Sequence, residues 1–128
     1  MQIRITNQSS NALPAYATPQ ASELDGKVHN SEPIILKLLK RTLVATRLQV
    51  ALSQAFEAQI RPRRGLAYRH GITVLNSPET IDTDYRGEME ILLINLSNEP
   101  FTVNDHRHCP AGRKPLRAHS VPTCQYAR

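Results

Sequence analysis

The chain has 128 residues, is 40% hydrophobic and only 5% aromatic, and contains no Trp; that is enough for one domain with a mainly aliphatic core. Its net charge of +5 favours anionic partners without choosing among nucleotides, nucleic acid and acidic membranes. No apolar run approaches the roughly 18 residues of a bilayer span, and two cysteines, Cys109 and Cys124, are too few for a disulfide framework.

Along the chain, Met1 to Thr6 alternates apolar and polar residues as a half-exposed strand does, too early and too briefly for a signal peptide, so a cytoplasmic protein is expected. Residues 7–33 are rich in Asn, Ser, Pro and Gly and read as loop with at most one short strand. Ile34 to Leu39 is apolar and Leu-rich. Thr42 to Thr46 and Leu48 to Leu52 read as strands, the second in strict alternation; Phe56 to Ile60 alternates again and stops at Arg61-Pro62. Gly71 to Leu75 is a further strand, Asn76-Ser77-Pro78 a turn, Glu88 to Leu96 a strong strand and Phe101 to Val103 a short one. Short strands with frequent turn signals, no helix of ten residues and no internal repeat predict an all-β jelly roll or barrel.

Two blocks carry candidate chemistry. In the first, Arg61, Arg63 and Arg64 stand beside Gly65 at the end of an apolar strand. Guanidinium groups offer forked donors to phosphate oxygens, and glycine lets a backbone N–H come close to an anion; the plain alternative is an exposed basic turn. The second block runs from Asn76 to Glu88. Asp82 and Asp84 would share one face of an extended hairpin, where a carboxylate can hold an attacking water as general base. Asn76 offers a base edge both a donor and an acceptor. The plain alternative is a polar turn.

Together the blocks are specific. Gln59-Ile60-Arg61-Pro62-Arg63, Gly65-Leu66-Ala67, His70-Gly71-Ile72, Asn76 and Thr80-Ile81-Asp82 followed by Asp84-Tyr85-Arg86-Gly87-Glu88 resemble the trimeric dUTP diphosphatases, and Leu13 to Pro19 resembles the lead into that family's first motif. The resemblance covers residues 1–107. It implies a distorted jelly-roll barrel of the β-clip type, a homotrimer with sites between subunits, and hydrolysis of dUTP to dUMP and pyrophosphate. By the same resemblance Asp82 matches the carboxylate that activates water. Asn76 and the backbone of Thr80, Ile81 and Asp82 match the uracil-reading hairpin, and Tyr85 the ring under deoxyribose. Arg63 and Gly65 match phosphate contacts supplied by a neighbouring subunit, and Asp25 the aspartate that holds Mg²⁺ through water. Nucleic acid and membrane are not expected partners: no exposed aromatics are interleaved with the basic residues.

The departures support an alternative, a catalytically impaired nucleotide-binding copy. The first motif, usually Ala-Gly-Met-Asp-Leu-Arg-Ala, is Ser22 to Val28 here, with Glu23 in place of glycine. Arg64 replaces the second motif's serine, whose hydroxyl is a donor of a kind worth about 3 kcal/mol of barrier, and is expected to offer charge in its stead. Glu79 replaces the third motif's glycine. After Arg107 the match stops. The fourth motif, Gly-x-Arg-Ile-Ala-Gln-Leu, is absent, yet one choice of codons that encodes His108 to Arg113, CAT TGC CCA GCT GGT CGT, spells Ile-Ala-Gln-Leu-Val when read one base later. A one-base frameshift is therefore expected, making residues 108–128 a divergent tail, with the fifth, glycine-rich motif missing. His106, His108, Cys109 and Cys124 form a ligand-type set whose spacing fits no common zinc pattern.

Overall fold

The computed structural model describes residues 3–16, 18–20, 23–104 and 121–123. Twelve strands and one short helix follow one another: β1 (Arg4–Asn7), β2 (Ala15–Tyr16), β3 (Leu24–Asp25), β4 (Ile34–Leu36), β5 (Arg41–Ala45), β6 (Leu48–Ala51), β7 (Ala58–Arg61), α1 (Arg64–His70), β8 (Ile72–Val74), β9 (Glu79–Ile81), β10 (Glu90–Asn95), β11 (Phe101–Val103) and β12 (Val121–Thr123). Every pairing is antiparallel. The strands group as β1-β6, β5-β10-β8, β4-β11, β12-β7-β9 and β2-β3. The expected all-β, jelly-roll-like architecture is what the chain adopts.

Alternation builds the core. Leu48 and Val50 of β6, Ala58 and Ile60 of β7, Ile91 and Leu93 of β10, and Phe101 and Val103 of β11 point inward, with the residues between them on the other face. Among the described buried hydrophobics Phe101 is the single aromatic, as the composition implied. β10 is central: Ile91 faces Val44 of β5, and Leu93 faces both Thr42 of β5 and Val74 of β8.

Polar side chains tie the corners. Asn95 is fully buried; its Nδ2 donates to the Leu36 and Glu99 carbonyls (2.9 and 2.7 Å) and its Oδ1 accepts from the Ser97 amide and hydroxyl (2.9 and 2.7 Å). Buried Thr46 donates to the Met89 carbonyl (2.6 Å) and accepts from the Leu48 amide (3.1 Å), joining the β5–β6 corner to the start of β10.

Three features differ from the sequence expectation. Residues 7–33 hold two short strands, β2 and β3, where at most one was expected. The segment after Pro62 is helical: α1 has one buried residue, Leu66, and ends at Gly71 in the left-handed region (φ 63°), whose amide donates to the Ala67 carbonyl. Two turns with a single apolar contact leave no 3.6-residue pattern to read. Finally, residues 121–123, in the tail expected to be out-of-frame text, pair with β7 and also run beside β3. Pro122, which has no N–H to donate, stands on an edge strand, where that loss costs least.

Candidate functional site

The site residues on the second block come together. Among the described residues β9 pairs with β7 on one side only, Ala58 against Ile81 and Ile60 against Glu79, and is the edge of its sheet. An edge strand leaves alternate backbone N–H and C=O groups without ladder partners. Beside it lies a cleft of about 300 Å³, lined by Thr80, Ile81, Asp82 and Tyr85 together with Glu88 and by Leu43 and Glu90 from the β5–β10 pair. Ile81 is buried and anchors the strand, while Thr80 and Asp82 are exposed.

Asp82 and Asp84 do not share the face of an extended hairpin. The strand ends at Ile81, and the Tyr85 amide donates to the Asp82 carbonyl (3.2 Å), closing a tight turn. Both aspartates are exposed, but of the two only Asp82 lines the cleft. The turn brings Tyr85 back over the cleft, its hydroxyl donating to the Glu88 carbonyl (2.7 Å). Gly87 makes room for this: a Cβ there would meet the Tyr85 hydroxyl and Cζ at 2.5 and 2.7 Å. Glu88 then pins the loop, accepting from the Arg47 amide at 2.8 Å and pairing with its guanidinium at 3.7 Å. The exposed ion pair adds little energy; with the Thr46–Met89 bond it fixes where the loop returns.

Among the described residues Glu79 is the one group with a displaced acidity. Burial pushes its carboxyl above the ordinary 4.5, and a hydrogen bond from the Asn76 side chain offsets part of that rise. Its Oε2 is buried and has no hydrogen-bond partner among the described residues. Asn76 itself is exposed, in the turn before β9, where the Ser77–Pro78 peptide is cis.

The first block lies elsewhere. Arg63, Arg64 and Gly65 are exposed at the start of α1 and do not line the Asp82 cleft. The amides of a helix's first turn have no intrahelical partner and face outward. Among the described residues nothing outside its chain neighbours and its helix's own backbone lies within 4 Å of a Cβ built on Gly65, and its φ is not positive. No contact or backbone strain within this chain calls for glycine there. Asp25 lies half-buried on β3 opposite Ala15, also apart from the cleft, and Glu23 is exposed. Among the described residues no three His, Cys, Asp or Glu side chains converge on a metal position. The His106, His108, Cys109 and Cys124 set lies outside the described residues. Sequence reading missed Leu43 and Glu90, which reach the cleft through β5–β10 pairing, a register no local motif announces.

These elements define a jelly-roll protein that offers a small ligand a strand edge, a carboxylate and an overhanging aromatic ring. The dUTPase family model matches residues 10–109. A curated deoxyuridine 5′-triphosphate nucleotidohydrolase from Cytophaga hutchinsonii is 58% identical over 101 residues, covering 79% of this chain and 66% of that protein. The protein of the same name from Fusobacterium nucleatum is 45% identical over 103 residues, covering 80% and 70%. A dUTPase structure from Streptococcus mutans superposes with a TM-score of 0.78 at 16% identity, over 98% of this chain and 95% of that one. A mutant phage phi11 dUTPase, described for the coordination of a structural Mg(II) ion, gives 0.75 at 14% identity, over 100% and 94%. The chain belongs to the dUTPase family. It spans about two thirds of the length of the curated relatives it matches. Among the described residues no helix is long and apolar enough to cross a membrane.

Proposed function

We propose that the protein is a dUTP diphosphatase, hydrolysing dUTP to dUMP and pyrophosphate in cytoplasmic nucleotide metabolism. The observation that carries this is the cleft in which Asp82, Tyr85 and the free edge of β9 converge. The exposed edge at Thr80 to Asp82 suits a base with alternating donors and acceptors, and a pocket built for one hydrogen-bonding edge rejects bases that leave its own groups unpaired. Tyr85 covers the sugar and leaves no room for a 2′-hydroxyl. The Asp82 carboxylate holds a water, directs it at the α-phosphorus and takes its proton.

Phosphate binding falls to Arg63, Arg64 and Gly65. Since α1 stands away from the same chain's cleft, a neighbouring subunit of a homotrimer supplies them. The open space at Gly65 supports this, because the need for glycine then comes from outside the chain. Mg²⁺ fits this arrangement only as a substrate-borne ion. The described residues build no metal cage, and Mg²⁺ commonly keeps its waters and binds through one carboxylate and substrate phosphates. Asp25 would hold it through water, where it neutralises phosphate charge.

Residues 1–107 form the functional domain in this reading, and 108–128 a divergent tail from a shifted frame. The family match ends at residue 109, beside the point where the frames part. The test is pyrophosphate release from dUTP with Mg²⁺. Turnover is expected, and Asp82→Asn should lower kcat by about 10²–10⁴ while leaving binding of a non-hydrolysable dUTP analogue and thermal stability unchanged. Turnover that survives Asp82→Asn refutes the assignment.

A further inference from the structure

We propose that Glu88 is a positioning residue: by gripping the β5–β6 corner it holds Tyr85 at a fixed height over the cleft, and so sets how strictly a 2′-hydroxyl is refused. The inference rests on the sugar-covering role given above to Tyr85. The Tyr85 ring is anchored by its hydroxyl, which donates to the Glu88 carbonyl (2.7 Å). That carbonyl belongs to the trans Glu88–Met89 peptide, whose amide donates to the Leu48 carbonyl of β6 (2.8 Å). A trans peptide is planar, with its N–H and C=O pointing in opposite directions. One rigid unit therefore reaches from β6 on one side to the tyrosine hydroxyl on the other.

The tilt of that unit is set at both ends. On the Met89 side, Thr46 Oγ1 donates to the Met89 carbonyl (2.6 Å). On the Glu88 side, carboxylate Oε1 accepts from the Arg47 amide (2.8 Å), and the Arg47 carbonyl in turn accepts from the Gln8 amide (2.9 Å), just past β1. Arg47 stands in the left-handed region (φ 59°), a conformation that a non-glycine residue keeps where its surroundings hold it. Bonded on both sides, its amide is a fixed donor for Glu88. The guanidinium, 3.7 Å from Glu88 Oε2 and half-exposed, adds little; the amide bond is the grip. Other hydrogen bonds stay inside the loop: the Tyr85 amide to the Asp82 carbonyl, and the Arg86 guanidinium to the Thr83 and Tyr85 carbonyls. They shape the loop without fixing it against the sheet. With the Glu88 grip released, the peptide can tilt and the ring can back away from the sugar.

The experiment compares dUMP and UMP binding by calorimetry, and kcat/KM for dUTP and UTP, in wild type, Tyr85→Phe, Glu88→Ala, Glu88→Gln and the Tyr85→Phe/Glu88→Ala double variant. Tyr85→Phe keeps the ring and loses its anchor; Glu88→Ala loses the grip. Each should lower the deoxyribose preference by about tenfold, through tighter UMP binding and a lower KM for UTP. Glu88→Gln keeps an oxygen acceptor for the Arg47 amide and should restore most of the preference. The double variant should be no worse than Tyr85→Phe, because both changes cut one chain of contacts. A merely structural role would lower Tm and weaken both nucleotides together. An unchanged dUMP-over-UMP ratio in Glu88→Ala therefore overturns this inference alone, as does an additive double variant. Wild-type protein that binds neither nucleotide overturns the functional reading and this inference with it.

Discussion

Replacing Gly65 with Ala should move stability and activity in opposite directions. Gly65 is the second residue of α1, outside the left-handed region, and among the described residues an added methyl meets nothing within 4 Å beyond its chain neighbours and its helix's own backbone. Glycine in a helix costs roughly 0.5–1 kcal/mol relative to alanine, because it gives up more backbone freedom. The substitution should therefore stabilise the protein by about 0.5 kcal/mol, the lower value suiting a first-turn position, and raise Tm by about 2 °C for a domain of this size. If the Gly65 amide approaches a phosphate bound by the adjoining subunit's cleft, the same methyl pushes that phosphate away. A displacement of about 1 Å in a reacting group costs on the order of 100-fold in rate. Thermal unfolding and pyrophosphate release on the same preparations check both signs. A raised Tm with unchanged kcat/KM would refute the phosphate role, and a lowered Tm would refute the open space described at this position.

Gly71→Ala should behave differently. Its φ of 63° and a Cβ placed 2.9 Å from both the Ser97 amide nitrogen and Cβ combine backbone strain with overpacking, a loss of about 2–4 kcal/mol measurable by urea unfolding. The raised pKa of Glu79 predicts a pH effect. A carboxyl whose folded value lies above 4.5 contributes stability that is complete below 4.5 and is lost as pH rises through the folded value. Tm measured from pH 4 to 8 should therefore show Glu79→Gln gaining on wild type as pH rises; a constant difference would contradict the buried placement. Deleting one base after the Arg107 codon should restore the family's fourth motif and raise turnover by orders of magnitude; a coding sequence that cannot spell Ile-Ala-Gln-Leu in the shifted frame removes that idea.

What could be read from the sequence follows the range of the forces involved. Alternation marks which face of a strand is buried, so the buried residues of β6 and β7 could be read directly, whereas β5 and β10 stood out as apolar runs in which Leu43, Leu92 and Ile94 are not buried. The pocket hairpin was legible because Thr80 to Gly87 is a local device: a strand end, a turn closed from Tyr85 to Asp82, and a glycine under the tyrosine ring. The turn still escaped the period-two reading, which put Asp82 and Asp84 on one face when only Asp82 lines the cleft. α1 was hidden because its single buried contact, Leu66, cannot show a period. The far wall of the cleft was hidden for a different reason. Leu43 and Glu90 reach it through the register of β5 against β10, where Glu90 faces Ala45 and Leu92 faces Leu43, and such pairing is fixed by packing on both faces of the sheet rather than by any neighbour in the chain. The same limit applies to Glu79. In sequence it is a departure from a motif; in the fold, it is a cleft-lining carboxyl whose buried Oε2 has no hydrogen-bond partner among the described residues.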